Sequence, residues 1–153
     1  MLLMPKNFEW DLPESFRIDL EEFNIMGDVG DTTITTNTKE KKIFNRYLNS
    51  GYDLGYIFGT FLGDGNSHIS KHKGSERGSC HWYFGLDETE IANKLQKCIK
   101  NVLDYECKIQ EKNDNVLMVN CYNKCFSKLL YKFSKKTDKH LPEEYYCQDK
   151  EYI

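Results

Sequence analysis

Three glycines at four-residue intervals, followed by an acid, carry the clearest chemical pattern in this chain. Gly55, Gly59 and Gly63 occur in a largely apolar stretch, and Asp64 follows the last of them. Residues four apart share one face of an α-helix, so the glycines would form a bare stripe. Each glycine costs a helix about 1 kcal/mol relative to alanine, but small residues at this spacing let two backbones touch. The pattern predicts a packed helix pair with a carboxylate, suited to bind a metal, at its end.

The periodicity of the apolar residues changes from helical to alternating after residue 65. In order, it predicts a strand over 66–73, a loop over 74–78, a strand over 80–86, a helix over 87–103, strands over 105–112 and 116–122, and a helix over 123–134. Asp87 and Glu90 have the spacing of a capping box for the middle helix. The glycine helix is therefore followed by a hairpin, a helix, a second hairpin and a final helix.

The segment before the glycine helix has a different composition. Residues 1–38 lack a helical period and contain prolines, glycines and a threonine-rich run, which predicts short strands and loops. Residues 39–48 place four apolar side chains at helical spacing and predict a short helix, and Ser50 is a candidate cap for the glycine helix. We therefore expect an N-terminal extension over 1–38 and one domain over 39–153.

The nine residues from Ile57 to Gly65, IFGTFLGDG, resemble the LAGLIDADG motif of homing endonucleases, with Gly59, Asp64 and Gly65 at its characteristic positions. The resemblance extends over about 100 residues after the motif in the order of the elements. It implies an α+β fold, the αββαββα half-domain, with a saddle-shaped antiparallel sheet whose open face lies along the DNA major groove. The alternative for this stretch is a buried core helix with an acid in the turn that follows.

The strand alternation and the resemblance together select the candidate DNA contacts. On the outer face of the predicted sheet these are Asn66, His68, Ser70, His72, His81, Tyr83, Lys108, Gln110, Lys112 and Asn120, with Lys73 and Arg77 near a hairpin tip. The chain has a net charge of −3, yet residues 66–140 hold 14 basic and 9 acidic residues, a net of +5. Positive charge in this segment suits double-stranded DNA. The alternative is an ordinary solvated surface.

The chemistry that the resemblance implies is Mg²⁺-dependent hydrolysis of DNA phosphodiesters by a site-specific endonuclease, or by half of one. Asp64 would be the catalytic acid and metal ligand, the carbonyl of Gly63 a second ligand, and Lys124 the nearest base. Asp64 cannot complete the site alone. The resemblance therefore implies a homodimer through Gly55, Gly59 and Gly63, or a separate chain that carries a second motif. We expect Tyr56 and Phe58 to form an exposed apolar patch in the unpaired chain.

Two further segments resemble parts of larger enzymes. The residues from Lys139 to Pro142 are similar to the element that precedes the second motif in double-motif enzymes, and residues 1–38 are similar to the segment that joins a splicing domain to its endonuclease in an intein. The residues required at splice sites are not found, so self-splicing is not expected. Two other functions stay open: a nucleic-acid-binding module without cleavage, accessory to splicing or transcription, and a structural insertion without activity of its own.

The cysteines and the hydropathy bear on the compartment. Six cysteines contain no CxxC pair, and most occupy apolar positions, which predicts buried free thiols in a reducing cytoplasm or nucleus. A zinc site that uses Cys80 and His81 is the alternative, although adjacent ligands are poorly spaced for one metal. The chain lacks a secretory signal pattern, and its apolar runs are too short to span a bilayer.

Overall fold

The computed structural model describes residues 14–24, 27–113, 115–134 and 139–147. Five short strands precede the glycine helix: β1 (Arg17–Asp19), β2 (Gly27–Val29), β3 (Thr33–Thr36), β4 (Ile43–Asn45) and β5 (Tyr47–Asn49). β1 pairs antiparallel with β5, and β2, β3 and β4 form a second antiparallel sheet in that order. Short strands were predicted for the segment up to residue 38, and its described part contains them.

The helix predicted over 39–48 is wrong, because residues 43–49 form β4, β5 and the bend between them. Phe44 and Leu48 are both buried, but each lies in a different strand with its own pairing partner. An isolated helix of ten residues is marginal in water, so the two available strand partners decide the conformation. The boundary proposed at residue 38 lies between β3 and β4, which are paired with each other.

The larger part of the molecule is a four-stranded antiparallel sheet with three helices. Its elements are α1 (Tyr52–Asp64), β6 (Gly65–His72), β7 (Ser75–Gly85), α2 (Thr89–Leu103), β8 (Lys108–Lys112), β9 (Val116–Cys121) and α3 (Lys124–Tyr131). The strands lie in the order β6-β7-β9-β8, and every neighbouring pair is antiparallel. The protein is thus α+β, and the described elements follow the predicted order of helix, hairpin, helix, hairpin and helix.

Several predicted boundaries differ from the structure, most of all in the first hairpin. The loop predicted over 74–78 is a two-residue turn at Lys73 and Gly74, and β7 already begins at residue 75. Both turn residues have positive φ angles, +48° and +79°, as the tight turns of two-residue hairpins require. The glycine and serine residues after the turn are therefore paired in the strand, and the hairpin projects farther than the turn residues alone suggest.

The caps of α1 and α2 also differ from the prediction. Ser50 does not cap α1, because its Oγ accepts the N–H of Phe16 at 3.0 Å. The predicted capping box of Asp87 and Glu90 is absent from the start of α2, where Glu88 instead accepts the N–H of Gly85 at 3.0 Å. A single turn of 3₁₀ helix over Leu86–Glu88 precedes α2, so the helix begins two residues later than predicted.

The strand β8 and the final helix α3 are shorter than predicted. β8 begins at Lys108 rather than at residue 105, and the final α-helix ends at Tyr131, followed by a 3₁₀ turn over Lys132–Ser134. Asn123 caps α3, with its Oδ1 accepting the N–H of Phe126 at 3.0 Å. This cap fixes the direction in which α3 leaves the sheet.

The core lies between the three helices and one face of the sheet. Trp82, the largest buried side chain, packs edge-on against Phe61 of α1 at a centroid separation of 5.8 Å. All six cysteines are buried free thiols, as predicted. Burial raises the pKa of the Cys98 thiol to about 12 and that of Cys125 to about 11. The opposite face of the sheet is left for polar side chains.

Candidate nucleic-acid interface and acid site

The glycine helix α1 has one buried face and one open face. Leu54, Ile57, Phe58 and Phe61 are buried, at the spacing of one helix face. Gly59 and Gly63 are exposed, and a Cβ atom built on either of them meets no other atom within 4 Å. Gly55 is partly exposed. The described residues therefore leave Gly59 and Gly63 uncovered, as a helix partner would require.

The predicted apolar patch around the glycines is only partly present. Phe58 is 1 % exposed and packs edge-on against Phe133 at 4.7 Å between ring centroids, so its assignment to the patch is wrong. Tyr56 is partly exposed and stacks with Tyr52, whose side chain is 46 % exposed. Lys94 of α2 lies over both rings at 4.8 and 4.7 Å from their centroids. The glycine face of α1 is thus bordered by the rings of Tyr52 and Tyr56 and by the ammonium group of Lys94.

Asp64 is the exposed last residue of α1, and β6 begins directly after it. The backbone N–H of Gly65 donates to the carbonyl of Phe61, which closes the last turn. Lys139 reaches the same place from the other end of the described chain, and its Nζ donates to the carbonyls of Phe61, at 3.4 Å, and Gly65. A cation at a helix C-terminus is favoured by the helix dipole.

Lys139 was not selected as a site residue from the sequence, because 74 residues separate it from its partner Gly65. Lys124, which was selected, lies elsewhere. Its Cα is 3.1 Å from a Cβ built on Gly78, and Gly78 pairs with Ile69 of β6. Ile69 follows Asp64 by five residues, or about 16 Å along an extended strand. The structure therefore brings Lys139, and not Lys124, to the end of α1.

The open face of the large sheet collects most of the residues that the alternation selected. The strand register places Asn66, His81, Asn120 and Lys108 opposite one another in a single row across all four strands. Tyr83 and Gln110 are in the next row, on either side of Met118. His68, Lys108, Gln110 and Lys112 are exposed, and Lys112 lies over the Tyr83 ring at 5.5 Å from its centroid.

A chain of hydrogen bonds on this face passes through His81 and Asn120 of the first row. Ser79 Oγ and His81 Nε2 are 3.1 Å apart, His81 Nδ1 contacts Asn120 Oδ1, and Asn120 Nδ2 donates to Gln110 Oε1 at 2.9 Å. Asn120 is only 1 % exposed. Its assignment as a direct DNA contact does not fit this burial, because neighbouring side chains satisfy and cover its amide. Ser79 completes the chain, and the alternation of β7 could have identified it.

The remaining candidates lie along the first hairpin. Asn66 is exposed and Ser70 is partly exposed on β6, and Arg77 is exposed opposite Ser70. Lys73 is an exposed turn residue. His72 ends β6, but its side chain lies outside the described residues. These positions extend the open face along the full length of the hairpin.

The zinc alternative is not supported by the strand geometry. Cys80 is fully buried on the helix side, where its Sγ donates to the carbonyl of Cys121 at 3.7 Å, whereas His81 points to the open face. Among the described residues, no group of three or more histidine, cysteine, aspartate or glutamate side chains could hold a metal ion. Asp64 therefore belongs to no such group within the described part of the chain.

No helix in the described part of the chain is both long and apolar enough to cross a membrane. No family model matches this sequence, and neither a curated protein nor a solved structure matches it.

Proposed function

We propose that this protein is one subunit of a DNA endonuclease that hydrolyses phosphodiesters with Mg²⁺ after two glycine helices pair. One observation carries the proposal. The uncovered stripe of α1 ends in the exposed carboxylate of Asp64, and the first strand of the open polar sheet face begins at the next residue. A partner on the stripe would therefore place a second acid beside Asp64, at the edge of a surface suited to DNA.

The resemblance of residues 57–65 to the LAGLIDADG motif supports this proposal, as does the order of the elements that follow. In such a half-domain the sheet is a saddle that lies along the major groove. A two-stranded ribbon fits that groove, and outward side chains then contact base edges. Lys108, Gln110, Lys112 and Arg77 are exposed and carry the donors that such contacts need.

The donor set at the end of α1 fits Mg²⁺ chemically. Asp64 offers a carboxylate and Gly63 a carbonyl at a helix C-terminus, and Mg²⁺ prefers oxygen ligands while keeping several waters. When bound, the ion would supply activation of water and stabilisation of the leaving oxygen. Asp64 would hold the ion, and the second carboxylate would come from the partner helix. A homodimer would bind a near-palindromic target.

Lys139, and not Lys124, is the basic residue that we propose beside Asp64. Its ammonium group lies beside the carbonyl of Gly65, one residue from the proposed metal ligand. There it would attract a backbone phosphate toward Asp64, because a lysine ammonium interacts with phosphate as a compact point charge.

The test is Mg²⁺-dependent nicking of supercoiled plasmid DNA by the full chain and by Asp64→Asn. We expect the variant to lose cleavage by at least about 100-fold, with unchanged folding because Asp64 is exposed. Asp31→Asn is the matched control, since Asp31 is also exposed and lies before β3. Cleavage by Asp64→Asn at the rate of the control would remove Asp64 from the mechanism.

The second candidate function is a nucleic-acid-binding module without cleavage. The single carboxylate at the end of α1 favours it. Such a module would bind duplex DNA through the same open face but would leave plasmid DNA intact at every Mg²⁺ concentration. If the protein is shown to be dimeric and binds DNA without nicking it, the result supports a binding module and not an endonuclease.

A further inference from the structure

A second concave site lies at the far end of the first hairpin, away from Asp64. It is a cavity of about 470 Å³ between the three-stranded sheet and the start of α3. One wall of the cavity is formed by Thr36 to Thr38, at the end of β3, and the other wall by Glu76 to Gly78 of β7. The floor is formed by Tyr122 to Cys125. Its volume falls within the range of small-ligand sites in proteins. The N-terminal strands thus help to build a site that the proposed cleavage does not use.

The floor of this cavity carries a buried donor without a partner. Asn123 is 3 % exposed, and its Oδ1 caps α3 by accepting the N–H of Phe126. Its Nδ2 has no hydrogen-bond partner among the described residues. A buried donor without a partner is unfavourable, so a ligand that accepts from it is favoured. The positive end of the α3 dipole lies at the same place.

The charged side chains of the cavity also favour an anion. Arg77 and Lys124 both line it. Glu76 lines it too, but its carboxylate is 2.9 Å from Lys128 Nζ and is therefore neutralised. Helix N-termini with neighbouring basic side chains bind phosphate groups. The excess positive charge and the free amide donor therefore select a phosphate rather than a cation.

The rest of the lining is apolar. Ile34 and Phe44 are buried at the back, Cys125 lies in the floor, and the ring of Tyr122 is 56 % exposed at the edge. Inorganic phosphate would leave these groups without contacts. A planar aromatic base would stack on the Tyr122 ring, as bases commonly stack on aromatic side chains.

We infer that this cavity binds a nucleoside monophosphate unit, with its phosphate at the start of α3 between Arg77 and Lys124 and its base against Tyr122. The unit comes from a nucleic-acid strand or from a free nucleotide, and the first source rests on the proposed function. Arg77 also belongs to the open sheet face, so a strand lying on that face would lead directly to the cavity. Lys124 is then a phosphate ligand rather than a catalytic base.

The binding test uses the full chain labelled with ¹⁵N and titrated separately with adenosine 5′-monophosphate, adenosine and inorganic phosphate. We expect the monophosphate to shift the amide signals of Lys124 and Cys125 and to bind more tightly than either of the other two. Asn123→Asp keeps the cap, because aspartate caps helices as well as asparagine does, but it replaces the free donor with a negative charge. It should weaken binding by more than about tenfold.

Lys124→Ala should also weaken nucleotide binding about tenfold, whereas Lys97→Ala, an exposed lysine on α2, should leave it unchanged. Absence of amide shifts with the monophosphate would overturn the inference, and so would equal binding by inorganic phosphate. Equal weakening by Lys97→Ala would show that the effect is only one of net charge and would overturn it as well.

Competition by a single-stranded oligonucleotide distinguishes the two sources. Displacement of the monophosphate by the oligonucleotide supports a nucleic-acid strand, and its failure to compete supports a free nucleotide. The result is separate from the cleavage proposal, because Asp64→Asn should bind the monophosphate normally. A protein that binds the nucleotide but not duplex DNA would keep this inference and remove the endonuclease proposal. A protein that binds duplex DNA but not the nucleotide would remove this inference and keep the endonuclease proposal.

Discussion

At the scale of single residues, Arg46 lies in the segment predicted to be a helix but forms the bend between two strands. Its guanidinium forms two hydrogen bonds with the carboxylate of Asp19, each 2.9 Å long, and a third with Glu21 at 2.6 Å. The bend at Arg46 separates β4 from β5, and the backbone N–H of Leu20 donates to the Arg46 carbonyl. Two parallel hydrogen bonds between a guanidinium and a carboxylate are stronger than a single hydrogen bond. The pair formed by Arg46 and Asp19 therefore holds β1 against β5.

The ion pair of Asp19 and Arg46 predicts a pH-dependent contribution to stability. The hydrogen bond from Arg46 holds the pKa of Asp19 below its ordinary value of 3.8. The stabilisation is therefore fully present above pH 4 and is lost as the pH falls through the lower pKa of the folded state. Asp19→Asn should reduce the free energy of unfolding by about 1 kcal/mol at pH 7.

This prediction is measured by urea unfolding of wild type and Asp19→Asn at pH 7 and at pH 2.5. The difference between the two proteins should shrink at the lower pH. Asp28→Asn is the control, since Asp28 is exposed on β2. A difference that stays constant over this range would mean that the charge of Asp19 does not contribute.

At the scale of elements, glycines serve two different purposes in this protein. Gly78 allows β7 and α3 to approach closely, because a Cβ on it would lie 3.1 Å from the Lys124 Cα and from Ser127 Cβ. Gly59 has no such neighbour in the described chain, although it weakens α1. The first glycine is explained by packing within the chain, and for the second we propose contact with a partner helix.

Replacement of each glycine by alanine should therefore have opposite effects on the unpaired chain. Gly78→Ala should reduce the free energy of unfolding by about 1–3 kcal/mol, because the backbone of α3 must move. Gly59→Ala should increase it by about 1 kcal/mol, since alanine favours the helix. Thermal unfolding at low protein concentration measures both. A destabilised Gly59→Ala chain at this concentration would show that α1 is covered in the monomer.

At the scale of the whole molecule, the described residues leave two surfaces open. The stripe of α1 is uncovered among the described residues, and the open sheet face carries exposed basic and amide side chains. The two surfaces meet at Asp64, between α1 and β6. An assembly through the stripe would therefore join two open faces into one longer surface.

Gly59→Leu should convert a dimer into monomers and abolish cleavage, because a leucine side chain would push the paired backbones apart. Size-exclusion chromatography with light scattering measures the mass. Thr60→Ala, one residue away on a partly buried side of α1, is the control and should remain dimeric. A wild-type protein that is monomeric at every concentration would rule out a homodimer, leaving only a partner chain.

DNA binding through the open face should depend on salt. Each lysine or arginine that contacts a phosphate releases counterions, so affinity falls as salt rises. Lys108→Ala should weaken duplex binding and reduce this salt dependence, whereas Lys97→Ala on α2 should change neither. Titrations at 50 and 200 mM salt measure the effect. An affinity that does not change between these concentrations would contradict the groove interface.

The sequence by itself determined the elements whose pattern is local. The spacing of Gly55, Gly59 and Gly63 predicts α1, and the alternation through His81 and Tyr83 predicts the two faces of β7, because these periods follow from backbone geometry alone. It therefore predicted the open face of the sheet and the burial of the cysteines. It failed at residues 39–48, where a short apolar pattern fits both a helix and two strands.

Only the tertiary structure decided which distant residues meet. Lys139 reaches the end of α1 across 74 residues, Lys124 packs against Gly78 instead of Asp64, and Asn120 is covered by His81 and Gln110. The cavity at the start of α3 likewise needs β3, β7 and α3 together. Contacts between distant parts of the chain depend on how the elements pack, and the local periodicity that forms each element carries no information about them.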